Sequence, residues 1–262
     1  QGLEIAGGMA GAGYRVVAPS RFGYLRTPLP ANASAVAQAD AHAALLDALA
    51  IRRAVVLAAS AGARSALQLA IRHPARVSAL VLLVPAVDTP AHAVRIEPSA
   101  ASSLILRIME AGSDLALWTA LHVGRRRLVR FLGVPPELEA RAEPAERARI
   151  SRMMRGVFPV SLRMEGIRND GRPDEPPPLD RVAAPTLVIG AVDDLFGTFE
   201  CARYAAGCIP GAGLVVFPTG GHLLVGRQAE IRAVVTGFLA GHRGAPSRSP
   251  DMRPRIGTVA PG

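Results

Sequence analysis

Three kinds of side chain able to act together in acyl transfer stand just past apolar, strand-like runs of this chain. Ser60 lies in Ala58-Ala59-Ser60-Ala61-Gly62, after Ala54-Val55-Val56-Leu57 and ahead of a helical pattern from Ala63 to Ile71. A serine on a sharp strand-to-helix turn needs small neighbours two positions to either side, and Ala58 and Gly62 are small. Such a turn lifts the hydroxyl clear of a sheet and aims the Ala61 N–H at the place where an oxyanion would form. Asp193 and Asp194 follow the apolar run Pro185-Thr186-Leu187-Val188-Ile189-Gly190. His222 follows Leu214-Val215-Val216-Phe217 and the turn Pro218-Thr219-Gly220-Gly221. A hydroxyl, an imidazole to take its proton and a carboxylate to orient the imidazole make up a nucleophilic triad.

Each of these residues has a plainer reading. Ser60 could cap the helix that follows it, and His222 could cap a helix beginning near Leu223. Asp194 could cap a helix starting near Gly197 or Thr198. Ser65 is a poorer nucleophile than Ser60, since it lies a turn into the helix. His42, His73, His92, His122 and His242 lack the glycine-rich loop that precedes His222, and His73, in Arg-His-Pro at a helix end, reads as structural.

The elements that must position this set alternate strand and helix. The order Ser, Asp, His, each just beyond the carboxyl end of a strand, resembles the α/β-hydrolase superfamily, in its lid-bearing bacterial serine hydrolase branch. Gly13-Tyr14-Arg15-Val16-Val17-Ala18-Pro19 looks like the strand which that superfamily places before its nucleophile. Arg72-His73-Pro74-Ala75-Arg76-Val77 and Leu80-Val81-Leu82-Leu83 look like the helix end and strand after it. By motif the likeness covers about 13–86 and 184–239; the middle matches by position. The first glycine of the usual G-x-S-x-G is alanine here, and Ser20 replaces the aspartate of a Pro-Asp turn, where it can serve equally as a turn former.

The resemblance implies an α/β fold, a mainly parallel sheet flanked by helices with a helical lid. Ser60 would be nucleophile, His222 general base and Ala61 an oxyanion donor. The family's acid most often stands three positions past the strand-ending glycine, which from Gly190 gives Asp193, with Asp194 as the alternative. Neither a metal nor an organic cofactor is implied. An aspartate nucleophile, as in haloalkane dehalogenases and epoxide hydrolases, is disfavoured by the serine at this elbow. The superfamily's earliest strands, with a His-Gly loop that supplies a second oxyanion donor, have no counterpart in the chain. Two expectations follow: a fragment of a longer protein, or direct pairing of the strands near Val16 and Val56.

Composition bounds the remainder. The 262 residues suit one α/β domain with an insertion, and 50% hydrophobic residues are ample for its core. No apolar run approaches the roughly 18 residues of a membrane span, nor does the start read as a signal peptide, so a cytoplasmic protein with no membrane partner is expected. The formal charge is +9, with all 30 basic residues arginine, a bias matching the abundant alanine, glycine and proline rather than a nucleic-acid site. The cluster Arg125-Arg126-Arg127 reads as a solvated helix face. Cys201 and Cys208, seven helical residues and roughly 10 Å apart, read as free thiols beyond disulfide reach.

The organisation expected is an N-terminal part of the core over 1–86, a helical lid over 87–178, the C-terminal part of the core over 179–240 and a disordered arginine-bearing tail over 241–262. Asn32 or Ser34 should cap the helix that runs to about Ala50. Apolar lid residues, Leu104, Leu106, Ile108, Met109, Leu117, Trp118, Met153, Met154, Phe158 and Met164, should pack against one another or wall an apolar pocket. The function expected is hydrolysis, through an acyl-enzyme, of a carboxylic ester or related carbonyl bond in a small apolar substrate, with esterase, lactonase and C–C hydrolase chemistry undivided. The other expectation is a non-catalytic ligand-binding homologue or inactive fragment. The partner is a small molecule, not nucleic acid, and oligomers are possible.

Overall fold

Four short runs rich in β-branched and leucine residues form the strands β1 (Ala54–Ala59), β2 (Val77–Leu83), β3 (Thr186–Ala191) and β4 (Gly213–Phe217). They lie in one parallel sheet in the order β1-β2-β3-β4, with Val56 opposite Leu80, Leu83 opposite Ile189 and Ala191 opposite Phe217. The computed structural model describes residues 2–9, 14–89, 107, 111 and 113–242. Leu104, Leu106, Ile108, Met109, His92 and the expected tail beyond His242 lie outside the described residues, as do the side chains of Leu117 and His122.

Parallel strands need crossovers, and helices supply them. α1 (Gly2–Met9) and α2 (Ala35–Ala48) precede β1, and α3 (Gly62–Arg72) joins β1 to β2. Between β2 and β3 come α4 (Asp114–Val123), α5 (Arg125–Phe131), α6 (Pro136–Arg141), α7 (Pro144–Arg155) and α8 (Met164–Asp170). α9 (Thr198–Cys208) joins β3 to β4, and α10 (Gln228–Gly241) closes the described chain.

The period of two along β2 sends alternate residues to opposite faces. Leu80 and Leu82 pack with Leu67 and Ala70 of α3 and Ala202 and Ala205 of α9. Val81 and Leu83 pack with Ile189 and with Ile231, Val235 and Leu239 of α10. Both faces are covered, which is why β2 and β3 read as unbroken apolar runs. The insertion and the loop after His222 share a third core, in which Met154, Met164 and the flanking Phe158 pack with Leu128, Val129, Ile150 and Val225. Those side chains pack mainly against one another, whereas Trp118 is half exposed.

At α2 Ser34 is the cap and Asn32 supports it. The Ser34 Oγ accepts from the Ala37 N–H at 3.2 Å and donates to Asn32 Oδ1 at 2.8 Å. His73 is held by Asp40, 2.7 Å from its Nε2, in keeping with a structural residue. Cys201 and Cys208 are free thiols on α9.

The segment around Tyr14–Ala18 departs from expectation: it forms no strand. A strand exists only through its ladder, and among the described residues no ladder includes this segment. It does not pair with β1, which is an edge strand. Tyr14, Val16 and Val17 are 38%, 36% and 40% exposed. No described helix is long and apolar enough to cross a membrane.

Candidate active site

Ser60 follows β1 directly with φ of +52°, a left-handed conformation disfavoured for a residue with a Cβ. Three backbone bonds hold it there: its N–H donates to Leu83 at 3.0 Å, and its carbonyl accepts from Ala63 at 3.0 Å and Ala86 at 3.1 Å. α3 starts at the next turn with Ala61 at its N-cap and no side-chain cap. Among the described residues the Ala61 N–H has no partner, the ordinary condition of a helix start facing a ligand. Ser60 thus does not cap the helix. A Cβ added at Gly62 would lie 4.0 Å from that of Ala58, an ordinary contact, so glycine is not sterically required there.

The imidazole and the carboxylates meet at the far side of the sheet's carboxyl edge. His222 Nδ1 lies 2.7 Å from Asp194 Oδ2, with the two side chains 9% and 0% exposed. The other Asp194 oxygen accepts from the Phe196 N–H at 2.8 Å, and the Thr198 hydroxyl donates to Oδ2. Asp194 therefore holds the histidine and, through Phe196 and Thr198, the turn that leads into α9, whose N-cap is Gly197 with no side-chain cap. Asp193, the residue favoured from the family pattern, does not face the ring: its Oδ1 accepts from the Gly220 and Gly221 N–H groups at 2.9 and 2.8 Å. The turn after β3 sends adjacent side chains in different directions, one into the histidine loop's backbone and one onto its ring.

One participant was missed in the sequence. Gly133, between α5 and α6 with φ of +76°, accepts with a single carbonyl from the His222 N–H at 3.0 Å and the Leu195 N–H at 3.1 Å. A Cβ there would come within 2.7 Å of the His222 Cβ and 2.9 Å of the Phe196 ring. The insertion thereby braces both site loops, and Phe196 meets the imidazole edge-on at 4.6 Å. The signal available in the sequence is a glycine shortly before Pro135-Pro136, which marks a turn between helices but not what the turn touches.

Two ion-pair clusters tie the insertion to the elbow side. Arg64 of α3 binds Asp88 at 3.0 Å and donates to the carbonyls of Asp170 and Arg172 at 3.0 and 2.8 Å. Arg21 grips Asp170 with both guanidinium ends, at 2.6 and 2.5 Å, and Tyr24 donates to the same carboxylate at 2.5 Å. Burial and the Asp170 charge push the Tyr24 phenol well above its ordinary range.

Ser60, His222 and Asp194 all stand at the carboxyl edge of one parallel sheet, but only the latter two are joined: no hydrogen bond links the Ser60 hydroxyl to the imidazole. The family model described as the alpha/beta hydrolase family matches residues 5–234. The chain belongs to the alpha/beta hydrolase family. RutD of Klebsiella pneumoniae, a protein named as a carbamate hydrolase, is 30% identical over 195 residues, which are 74% of this chain and 68% of that protein. An alpha/beta hydrolase fold protein from Nakamurella multipartita superposes with a TM-score of 0.62 at 28% identity, over 84% of this chain and 80% of that one. The enol-lactonase from Burkholderia xenovorans LB400 shares the fold, with a TM-score of 0.63 at 21% identity over 84% of this chain and 79% of that one. As a member of this hydrolase family the chain is an enzyme of that class.

Proposed function

We propose that the chain is a serine hydrolase that cleaves a carboxylic ester or related carbonyl bond of a small molecule through an acyl-enzyme. The reading rests above all on the buried Asp194–His222 pair, 2.7 Å apart, at the same sheet edge as a serine held at φ of +52°. Ser60 Oγ attacks the carbonyl carbon while His222 Nε2 takes its proton, and the Ala61 N–H receives the developing oxyanion. The tetrahedral intermediate expels the leaving alcohol, which takes the proton back from His222. Water then repeats the sequence on the acyl-enzyme and releases the acid. Asp194 keeps the ring oriented with Nε2 outward, and Asp193 shapes the glycine turn. Apo sites of this kind often hold the hydroxyl and imidazole apart until substrate is bound. The helices α4 to α8 serve as a cap over the site.

Hydrolysis of p-nitrophenyl acetate and butyrate tests the reading. Ser60→Ala should remove turnover by at least about 10,000-fold with an unchanged circular dichroism spectrum. Turnover that persists in the variant, or none in the folded parent chain, overturns it; the second result would leave a ligand-binding homologue.

A further inference from the structure

A cavity of about 200 Å³ opens beside Ala61, between α2, the start of α3 and the end of α8. Its walls are polar: Gln38, Arg64, Ser65 and Asn169 all face it. Gln38, on α2, is only 7% exposed. The Phe22 N–H donates to its Oε1 at 2.6 Å, and since a backbone N–H can only donate, that bond fixes which end of the carboxamide is which. Its Nε2, with two N–H donors, has no partner among the described residues and is left to the cavity. Nε2 is open to the cavity's solvent rather than sealed from it, so a ligand acceptor would take the place of water there.

Two of the three arginines at the cavity are already held in ion pairs. Arg21 is held by Asp170 and Arg64 by Asp88, and of the remaining lining residues Arg172 and Asp174 contribute one charge of each sign. The site therefore offers neutral donors rather than a net charge and suits a neutral oxygen acceptor better than a carboxylate. The volume is below the roughly 300 Å³ at which drug-sized pockets begin, so it suits a short group.

We propose that this cavity is an acyl-chain subsite and that Gln38 Nε2 donates to an oxygen carried on the chain of a short acyl group. The proposal rests on the serine hydrolase reading above: with the Ala61 N–H taking the carbonyl oxygen, the Gln38 donor serves an oxygen farther along the acyl chain. Short alkoxyacyl esters are then better substrates than their all-carbon isosteres by more than their chemical reactivity explains.

The test compares p-nitrophenyl methoxyacetate with p-nitrophenyl butyrate, which differ by an ether oxygen in place of a methylene. Gln38→Glu keeps an acceptor for the Phe22 N–H and removes the donor. The ratio of kcat/KM for the two esters should fall about tenfold or more in this variant, a change from which intrinsic reactivity cancels. An unchanged ratio overturns the subsite. Independently of turnover, the Gln38 side-chain amide signal in ¹⁵N-labelled parent protein should shift on adding methoxyacetamide and much less with butyramide. Equal or absent shifts overturn the proposal even if both esters are cleaved. If neither ester is cleaved while methoxyacetamide alone shifts the signal, the subsite stands and the serine hydrolase reading fails.

Discussion

The two ends of the sheet are built to different standards. Beyond β3 and β4, each site carboxylate is satisfied: Asp194 by His222 of the opposing loop and by Phe196 and Thr198 of its own, and Asp193 by Gly220 and Gly221 of the opposing loop. Gly133 binds the backs of both loops. Beyond β1, the elbow is held by backbone bonds, but no described strand pairs with the outer edge of β1, and Tyr14, Val16 and Val17 are partly exposed. The acid–base pair is thus pre-oriented by a closed network, whereas the nucleophile's flank carries free donors at Ala61 and Gln38 and a polar cavity. On the proposed mechanism, a site divided this way would place its rigidity at the proton-handling groups and its adaptability on the acyl side.

Breaking the closed half should cost most. Asp194→Asn should lower kcat for p-nitrophenyl esters by about 10,000-fold, because the amide favours the wrong imidazole tautomer. Asp193→Asn, which keeps an acceptor for the two glycine N–H groups, should cost about tenfold or less. The reverse order of effects would move the acid back to Asp193. Gly133→Ala places a methyl group where His222 and Phe196 stand and forces a Cβ into left-handed backbone, so about a hundredfold loss of kcat is expected. Steady-state kinetics alongside thermal melts separate displacement of the histidine from unfolding: a variant that melts normally yet is fully active contradicts the brace.

The smallest effect belongs to the elbow side. His42 of α2 is pushed down to about 4 by burial and by the nearby Arg21 charge. Its folded value lies below that of the unfolded chain, near 6.5, so the unfolded chain binds the proton first as pH falls. Stability from a neutral His42 is present above about pH 6.5 and is lost as pH falls toward about 4. Urea midpoints measured at pH 7 and pH 4.5 should therefore differ less in His42→Leu than in the parent chain. Equal differences would show that this group does not report on the elbow side.

Much of the arrangement was legible in sequence because it depends on local patterns. The elbow needed only an apolar run, a serine and small neighbours. The strands β2 and β3 announced themselves as apolar runs buried on both faces. What escaped depends on partners remote in sequence. Which of Asp193 and Asp194 meets the ring is decided by how the glycine turn lies across the end of β3. Gly133 matters only because the insertion folds back onto two loops. The segment around Val16 has a strand's composition but no ladder, and composition cannot supply one.

The central claim is that Ser60 is a nucleophile activated by the Asp194–His222 pair. Labelling by a fluorophosphonate probe, read by intact mass and peptide mapping, tests it most directly. The account predicts one adduct per chain on the Ser60 peptide, absent in Ser60→Ala and His222→Ala, strongly slowed in Asp194→Asn and nearly unaffected in Asp193→Asn. Folded protein that takes up no label, or carries it on another residue, would contradict it.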